Sequence, residues 1–364
     1  MLPLSLFSIS RRSSKRAGTR FFRRGCDFQG NVANYVETEQ IIEHHESLTS
    51  FVQIRGSMPF FWKQSPTLAY LPKPEIYTHV DHNEPFQVHL EKLVHNYGTQ
   101  VLVNLINHNK HEGVLQAKFQ ELHKTCQLKQ YVEYKAFDFH ANPGNKLGRL
   151  IDELKPRIEE QACFFKTRGV VSKLQTGAIR TNCMDSLDRT NVVQSLIALE
   201  NLKQVLKKLA IPHVNLGDSD FYKVYQNVWA NHANIIALQY ASSEALKTDI
   251  TRCGKRTLTG MLRDAKTAIV RYINNNFNDG RRMDAIGKKE VRTFKFGTCI
   301  WDSSLKVHHL KLDGTPSMYC GYCVTIYFLF QILYLVTTLL MCTGRLTPKE
   351  ANGKTCCIFC HLVC

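Results

Sequence analysis

The sequence predicts an α/β domain, a mixed sheet with flanking helices, followed by one membrane-spanning helix. Three observations predict it. Strand-like runs and helix-periodic segments alternate over residues 1–275. A short apolar run leads through a polar loop into an amphipathic stretch near residues 177–209. From Cys323 to Cys342 the chain carries no charge over about the 20 residues that a helix needs to cross a bilayer.

The opening run, "MLPLSLFSIS", reads as a buried strand that ends in the basic loop "RRSSKR". It lacks the basic flank and small-residue cleavage site of a signal peptide. "SFVQIRG" (50–56), "QVLVNLINH" (100–108) and "VEYKAFDFH" (132–140) are strand-like, rich in Val, Ile, Phe and Tyr. Residues 144–165 and 220–241 place apolar side chains at helical spacing. Asn, Gly and basic residues dominate from "NNNFNDGRRMDAIGKK" (274–289) onward. The predicted organisation is a domain over 1–275, a mobile basic juxtamembrane linker over 276–322, a span over 323–342 and a cysteine-rich tail over 343–364. Lys and Arg are concentrated before the span, which places the large N-terminal part in the cytosol.

The formal net charge is +16, so polyanionic partners are favoured: nucleic acid, anionic lipid or a phosphorylated substrate. No nucleic-acid motif or aromatic–basic repeat accompanies the charge, so no nucleic-acid partner is expected. The 13 cysteines form no disulfide framework and no glycosylation sequon occurs, which suits a reduced, cytosol-facing domain. Cys320/Cys323 and Cys357/Cys360 have zinc-like spacing but sit in apolar surroundings, so neither a metal nor another cofactor is expected. The doublets His44/His45 and His308/His309 lack ligand-spaced partners and read as surface residues.

Chemistry is concentrated in "TNCMDSLDRTN" (181–191). "GAIRTNC" suggests a strand ending at the loop. Val192, Val193, Leu196, Ile197, Leu202, Val205, Leu206 and Leu209 recur at three- and four-residue intervals, so a helix follows, limited by Pro212. A loop against a helix N-terminus presents unpaired N–H groups and the positive end of the helix dipole to an anion. That field, with Arg189 nearby, favours Cys183 as a thiolate nucleophile. Arg189 can grip two phosphate oxygens bidentately, and Thr190 is placed to stabilise the thiolate when it leaves. A leaving oxygen needs a proton, for which Asp185 and Asp188 are both candidates. Either could instead cap the helix or hold Arg189.

The run Asn182-Cys183-x-Asp185-x-Leu187-Asp188-Arg189-Thr190-Asn191 resembles the active-site signature of Sac-domain phosphoinositide phosphatases. "ISRRSSKRAGTRFFRRG", "NVANYVETEQII", "FVQIRGSMPFFW", "AFDFH", "ALKTDITRCGKRT" and "NNNFNDGRRMDAI" resemble, in order, segments of the family's membrane-anchored members of endoplasmic reticulum and Golgi. The resemblance implies a cysteine-phosphatase-like fold with the phosphate loop at a helix N-terminus. It further implies hydrolysis of a phosphoinositide monophosphate, foremost phosphatidylinositol 4-phosphate to phosphatidylinositol, through a phosphocysteine. The alternative is a catalytically impaired phosphoinositide-binding membrane protein. Similarity to the loop of myotubularin-type phosphatases favours Asp188 over Asp185 as the acid. Met184, Ser186, Leu187 and Asn191 of the loop, with Arg55 and Lys247 beyond it, are the expected substrate contacts. Arg55 reads equally as part of a structural turn and Lys247 as part of a solvated basic face. The expected location is the endoplasmic reticulum membrane, with the Golgi membrane as the alternative. Three departures stand out: Ser186 where the family usually has a second cysteine, no counterpart of the family's N-terminal subdomain, and one span where anchored members have two.

Overall fold

The computed structural model describes residues 4–69, 71–108, 110–139, 141, 146–211, 220–289, 298–301 and 308–311. The expected span, the tail and most of the expected linker lie outside these residues. No described helix is long and apolar enough to cross a membrane.

The strands are β1 (Leu4–Arg12), β2 (Val36–His44), β3 (Ser47–Arg55), β4 (Trp62–Lys63), β5 (Glu75–Ile76), β6 (Thr99–Asn104), β7 (Val132–Ala136), β8 (Phe164–Thr167), β9 (Val170–Lys173), β10 (Gly177–Asn182), β11 (Thr298–Trp301) and β12 (His308–Lys311). The helices are α1 (Asn83–Tyr97), α2 (Gly113–Thr125), α3 (Lys146–Gln161), α4 (Asp188–Lys208), α5 (Asp220–Ala241), α6 (Thr248–Cys253), α7 (Leu258–Ile273) and α8 (Asp279–Lys289). The main sheet runs β12-β11-β1-β2-β3-β10-β6-β7, with β8 on β3 and β9 on β8.

The sheet is mixed. β1, β2 and β3 form an antiparallel meander in which buried and half-exposed residues alternate, as a sheet with one covered face requires. β3, β10, β6 and β7 are parallel, so the carboxyl ends of four strands open at one edge. Ligands of open α/β sheets bind at such ends. β10 lies at the centre and all six of its residues are buried, including Arg180, Thr181 and Asn182. α1 and α2 pack on one face around Phe86, Leu90, Leu102 and Phe119. α3 and α4 cover the other around Val101, Ile158, Ile179, Val193 and Ile197.

α4 is buried on nearly all sides over its first three turns because it lies between the sheet and other helices. Its polar residues there bond to neighbouring backbone: Gln194 Nε2 donates to the Ile54 carbonyl at 2.9 Å. The predicted linker is corrected at its start. Residues 274–278 form a π-helical turn that continues α7, and α8 follows. The reason is a polar anchor: Asn275 Nδ2 donates to the Ala241 carbonyl (3.0 Å) and to Asp279 Oδ2 (2.7 Å), and both residues are fully buried.

Candidate active site

β10 ends at Asn182, α4 begins at Asp188, and residues 183–187 make the turn between them. Three contacts hold this turn from outside. Arg24 Nη1 donates to the Met184 carbonyl at 3.2 Å, Asn34 Nδ2 donates to the Asp185 carbonyl at 3.0 Å, and Ser186 Oγ donates to the Gly56 carbonyl at 2.7 Å. A trans peptide points its C=O and N–H in opposite directions. Tying two carbonyls to Arg24 and Asn34 therefore turns the N–H groups of Asp185 and Ser186 to the other side of the loop. Ser186 sits in the left-handed region (φ 52°), which closes the curl before the helix.

Cys183, Met184, Asp185, Asp188, Arg189 and Lys247 line one cavity of about 610 Å³. Asn107 and Asp138, which follow β6 and β7, line it too, so the cavity sits at the carboxyl edge of the parallel strands. Cys183 is 3% exposed at its wall.

Arg189 is held by a fork. Its Nη1 donates to Glu112 Oε2 (2.8 Å) and its Nη2 to Glu112 Oε1 (2.9 Å), with Nη1 also donating to the Leu105 carbonyl (3.1 Å). Burial opposes the charge, but the Cys183 sulfur and the Glu112 carboxylate outweigh it and hold the guanidinium above its ordinary pKa. Nε has no partner among the described residues. Glu112 thus takes the end of the guanidinium and leaves the side formed by Nε and the second Nη2 hydrogen available, itself a two-donor fork.

The two aspartates are held differently. Asp185 accepts from Arg20 Nε (2.9 Å) and pairs with Arg24 Nη2 (2.6 Å). Burial alone would raise its pKa, but the two guanidinium groups hold it well below the usual carboxylate range. Asp188 accepts from Arg271 Nη1 on α7 (2.8 Å) and from the backbone N–H of Leu246 (2.6 Å). It therefore carries one close guanidinium where Asp185 carries two.

Lys247 has left-handed backbone (φ 61°) and its ammonium lies 4.9 Å from the Phe139 ring centroid. Burial lowers its pKa, and Arg189 lowers it further. Four of the expected substrate contacts lie elsewhere. Leu187 packs with Val36, Ala237 and Tyr240. Ser186 is fully buried against Gly56. Asn191 accepts from Arg55 Nη2 (3.3 Å) and donates to the Trp229 carbonyl (3.2 Å). Arg55 is fully buried behind the loop, its Nε and Nη1 have no hydrogen-bond partner among the described residues, and burial lowers its pKa to about 9. Thr190, expected beside the sulfur, is fully buried, and its hydroxyl has no hydrogen-bond partner among the described residues. These five support the loop from beneath and do not line the cavity.

Sequence reasoning missed Glu112, Arg20, Arg24 and Arg271. Glu112 carries no signal, because it lies in a short 3-10 turn 77 residues from its partner in sequence. Arg20 and Arg24 stand in "TRFFRRG" and Arg271 in "IVRYINNN", where nothing local marks a partner for Asp185 or Asp188. Among the described residues no group of three His, Cys, Asp or Glu side chains could hold a metal.

Residues 3–143 match the family described as the SacI homology domain. The chain is 45% identical over 287 residues to "Phosphatidylinositol-3-phosphatase SAC1" of Drosophila melanogaster, covering 76% of this chain and 48% of that protein. It is 44% identical over 286 residues to "Phosphatidylinositol-3-phosphatase SAC1-B" of Danio rerio (76% and 49%). It is 40% identical over 286 residues to "Phosphoinositide phosphatase SAC6" of Arabidopsis thaliana (76% and 48%). The chain spans about half the length of the curated relatives it matches.

Proposed function

From the premise that the chain belongs to the SacI homology family, we propose that it is a phosphoinositide phosphatase that works through a phosphocysteine on Cys183. The observation that carries the reading is the convergence of Cys183, the open side of Arg189, Lys247 and Asp188 on one cavity. Nε and Nη2 of Arg189 grip two phosphate oxygens. The Cys183 sulfur attacks phosphorus, the phosphorus–inositol bond breaks, and the leaving oxygen takes the proton of Asp188. Water then attacks the phosphocysteine, Asp188 takes a proton back, and the thiolate leaves. Asp188 is the acid of choice because Asp185, between two arginines, stays ionised.

The substrate we assign is phosphatidylinositol 4-phosphate. The fly and zebrafish relatives' names give the 3-position, so the test is phosphate release across a panel that includes both. Cys183→Ser and Arg189→Ala should abolish release from the preferred lipid. Near-normal release by either variant would remove the mechanism, and binding without release by the unsubstituted chain would make it a phosphoinositide binder.

We further read the apolar run 323–342 as a single span that holds the chain in the endoplasmic reticulum membrane with residues 1–275 in the cytosol. A glycosylation sequon placed after Cys364 should be modified if so. An inserted but unmodified protein would refute this topology.

A further inference from the structure

α7 is built inside out. Its inward face is polar: Thr267 and Arg271 are the helix's buried residues, and Arg271 reaches Asp188. Its apolar residues Leu258, Leu262, Ala265, Ile269 and Ile273 recur at four-, three-, four- and four-residue steps, one stripe along a helix. That stripe faces away from the protein: Leu258 is 74% exposed, Leu262 68% and Ile269 61%, with Met261 and Phe277 exposed beside it. A soluble helix turns its apolar stripe inward, and a contiguous exposed apolar surface marks an interaction site.

The stripe has a definite neighbour. Ala268 and Tyr272, one step around the helix, line the catalytic cavity. Across its mouth stand Leu71, which also lines it, and Leu68, 66% and 62% exposed. Tyr272 Oη donates to the Leu68 carbonyl at 2.8 Å and ties the two sides together. The flank is basic. Lys255, Arg263 and Lys266 are exposed and form no ion pair among the described residues, whereas the acidic Asp264 is already taken by Arg256 at 2.7 Å.

We infer that α7, with Leu68 and Leu71, seats in the interface of an anionic lipid bilayer and sets the cavity mouth on the headgroups. The occupant follows from the charge and the place. Apolar side chains on one face with cations along the edge form the pattern of a helix lying in the membrane surface. The inference rests on the proposed lipid substrate, because a headgroup still held in a bilayer reaches Cys183 only if the mouth lies at that depth.

The test uses the full chain with vesicles containing phosphatidylserine and the substrate lipid. Leu262→Trp places an indole on the stripe, while Trp62 and Trp229 are buried in the core. Its emission, taken as the difference from the unsubstituted chain, should shift to the blue and be quenched by bromolipid in the acyl region. The paired change Leu262→Asp with Ile269→Asp should lower turnover of vesicle-borne substrate at least about tenfold while leaving turnover of a water-soluble short-chain phosphoinositide unchanged. A chain that turns over neither substrate yet shows quenching keeps this inference and loses the proposed activity. Unquenched emission from the Leu262→Trp variant, or equal vesicle turnover by the paired variant, overturns the inference. So does a change of oligomeric state on making that paired variant without loss of quenching at Leu68→Trp, which would make α7 a protein interface.

Discussion

The carboxylate of Glu112 and the guanidinium of Arg189 meet edge to edge, with two donor–acceptor distances of 2.8 and 2.9 Å. The pair fixes the plane of the guanidinium before substrate arrives. In the proposed mechanism it uses the end that a phosphate does not need and leaves the side that it does. A carboxylate beside such an arginine would otherwise look like a competitor, yet in this reading it positions the arginine.

Glu112→Gln keeps the size of the side chain and removes the charge. An amide offers one acceptor where the carboxylate offers two, so the plane of Arg189 is no longer fixed. Turnover should fall by about 10- to 100-fold, since small misplacements at a reacting centre are costly. kcat should fall more than KM rises, because alignment counts most in the transition state. Unchanged steady-state kinetics would leave the pair a structural contact only.

Asp188→Asn and Asp185→Asn should separate chemistry from support. Without the Asp188 acid, turnover of the inositol lipid should drop by about 10²–10⁴. A nitrophenyl phosphate, whose leaving group needs no proton, should be far less affected. Asp185→Asn instead strips the counter-charge from Arg20 and Arg24, both buried. Breaking such a group typically costs about 3–5 kcal/mol, read in a urea melt. Equal leaving-group dependence in the two variants would remove the assignment of Asp188.

Two buried histidines predict acid sensitivity of the fold. His89 bonds to the Gly30 carbonyl through Nδ1 (2.8 Å) and accepts from Arg180 Nε (3.1 Å). His232 bonds to Ser10, Thr38 and Asn191 and lies near Arg55. Burial first, then Arg180 for His89 and Arg55 for His232, holds both well below their ordinary pKa. The unfolded chain takes up these protons near pH ~6.5 and the folded chain does not. Stability is therefore complete above that pH and falls as pH drops below it, at up to about 1.4 kcal/mol per pH unit for each histidine. Melts at pH 7.5, 6 and 5 should show the fall, and His232→Gln should make it shallower. A stability flat from pH 7.5 to 5 would count against neutral histidines in the core.

The elements that carry the site were legible for local reasons. The helix expected over 220–241 is α5 from Asp220 to Ala241. The strand, loop and helix around Cys183 follow from a break in apolar periodicity at a polar run. What stayed hidden is long-range. Thr190 and Asn191 stand in the loop motif and Arg55 beyond it, all three read as site residues, yet tertiary packing turns them beneath the loop, where Arg55 bonds to Asn191 and the Thr190 hydroxyl has no partner among the described residues. Residues 274–289 look like linker because Asn and Gly have low helix propensity. Buried bonds from Asn275 and Asp279 override it.

Ser186 gives the last prediction, in which two effects at one residue are told apart. Its hydroxyl donates to the Gly56 carbonyl, and its backbone is left-handed at φ 52°. Ser186→Ala removes the donor and keeps the strain, leaving a buried carbonyl short of a partner at a cost of about 1–3 kcal/mol. Ser186→Gly removes the donor as well but relieves the left-handed backbone by about 1–2 kcal/mol. Glycine should therefore be the more stable variant in a urea melt, the reverse of the usual order in helices. Ser186→Cys keeps a weak donor of larger radius, so turnover should change by less than about tenfold, or roughly 1.4 kcal/mol of barrier. An alanine variant at least as stable as glycine would show that the backbone strain at this turn is not felt. A large gain in turnover with cysteine would show that serine impairs the loop.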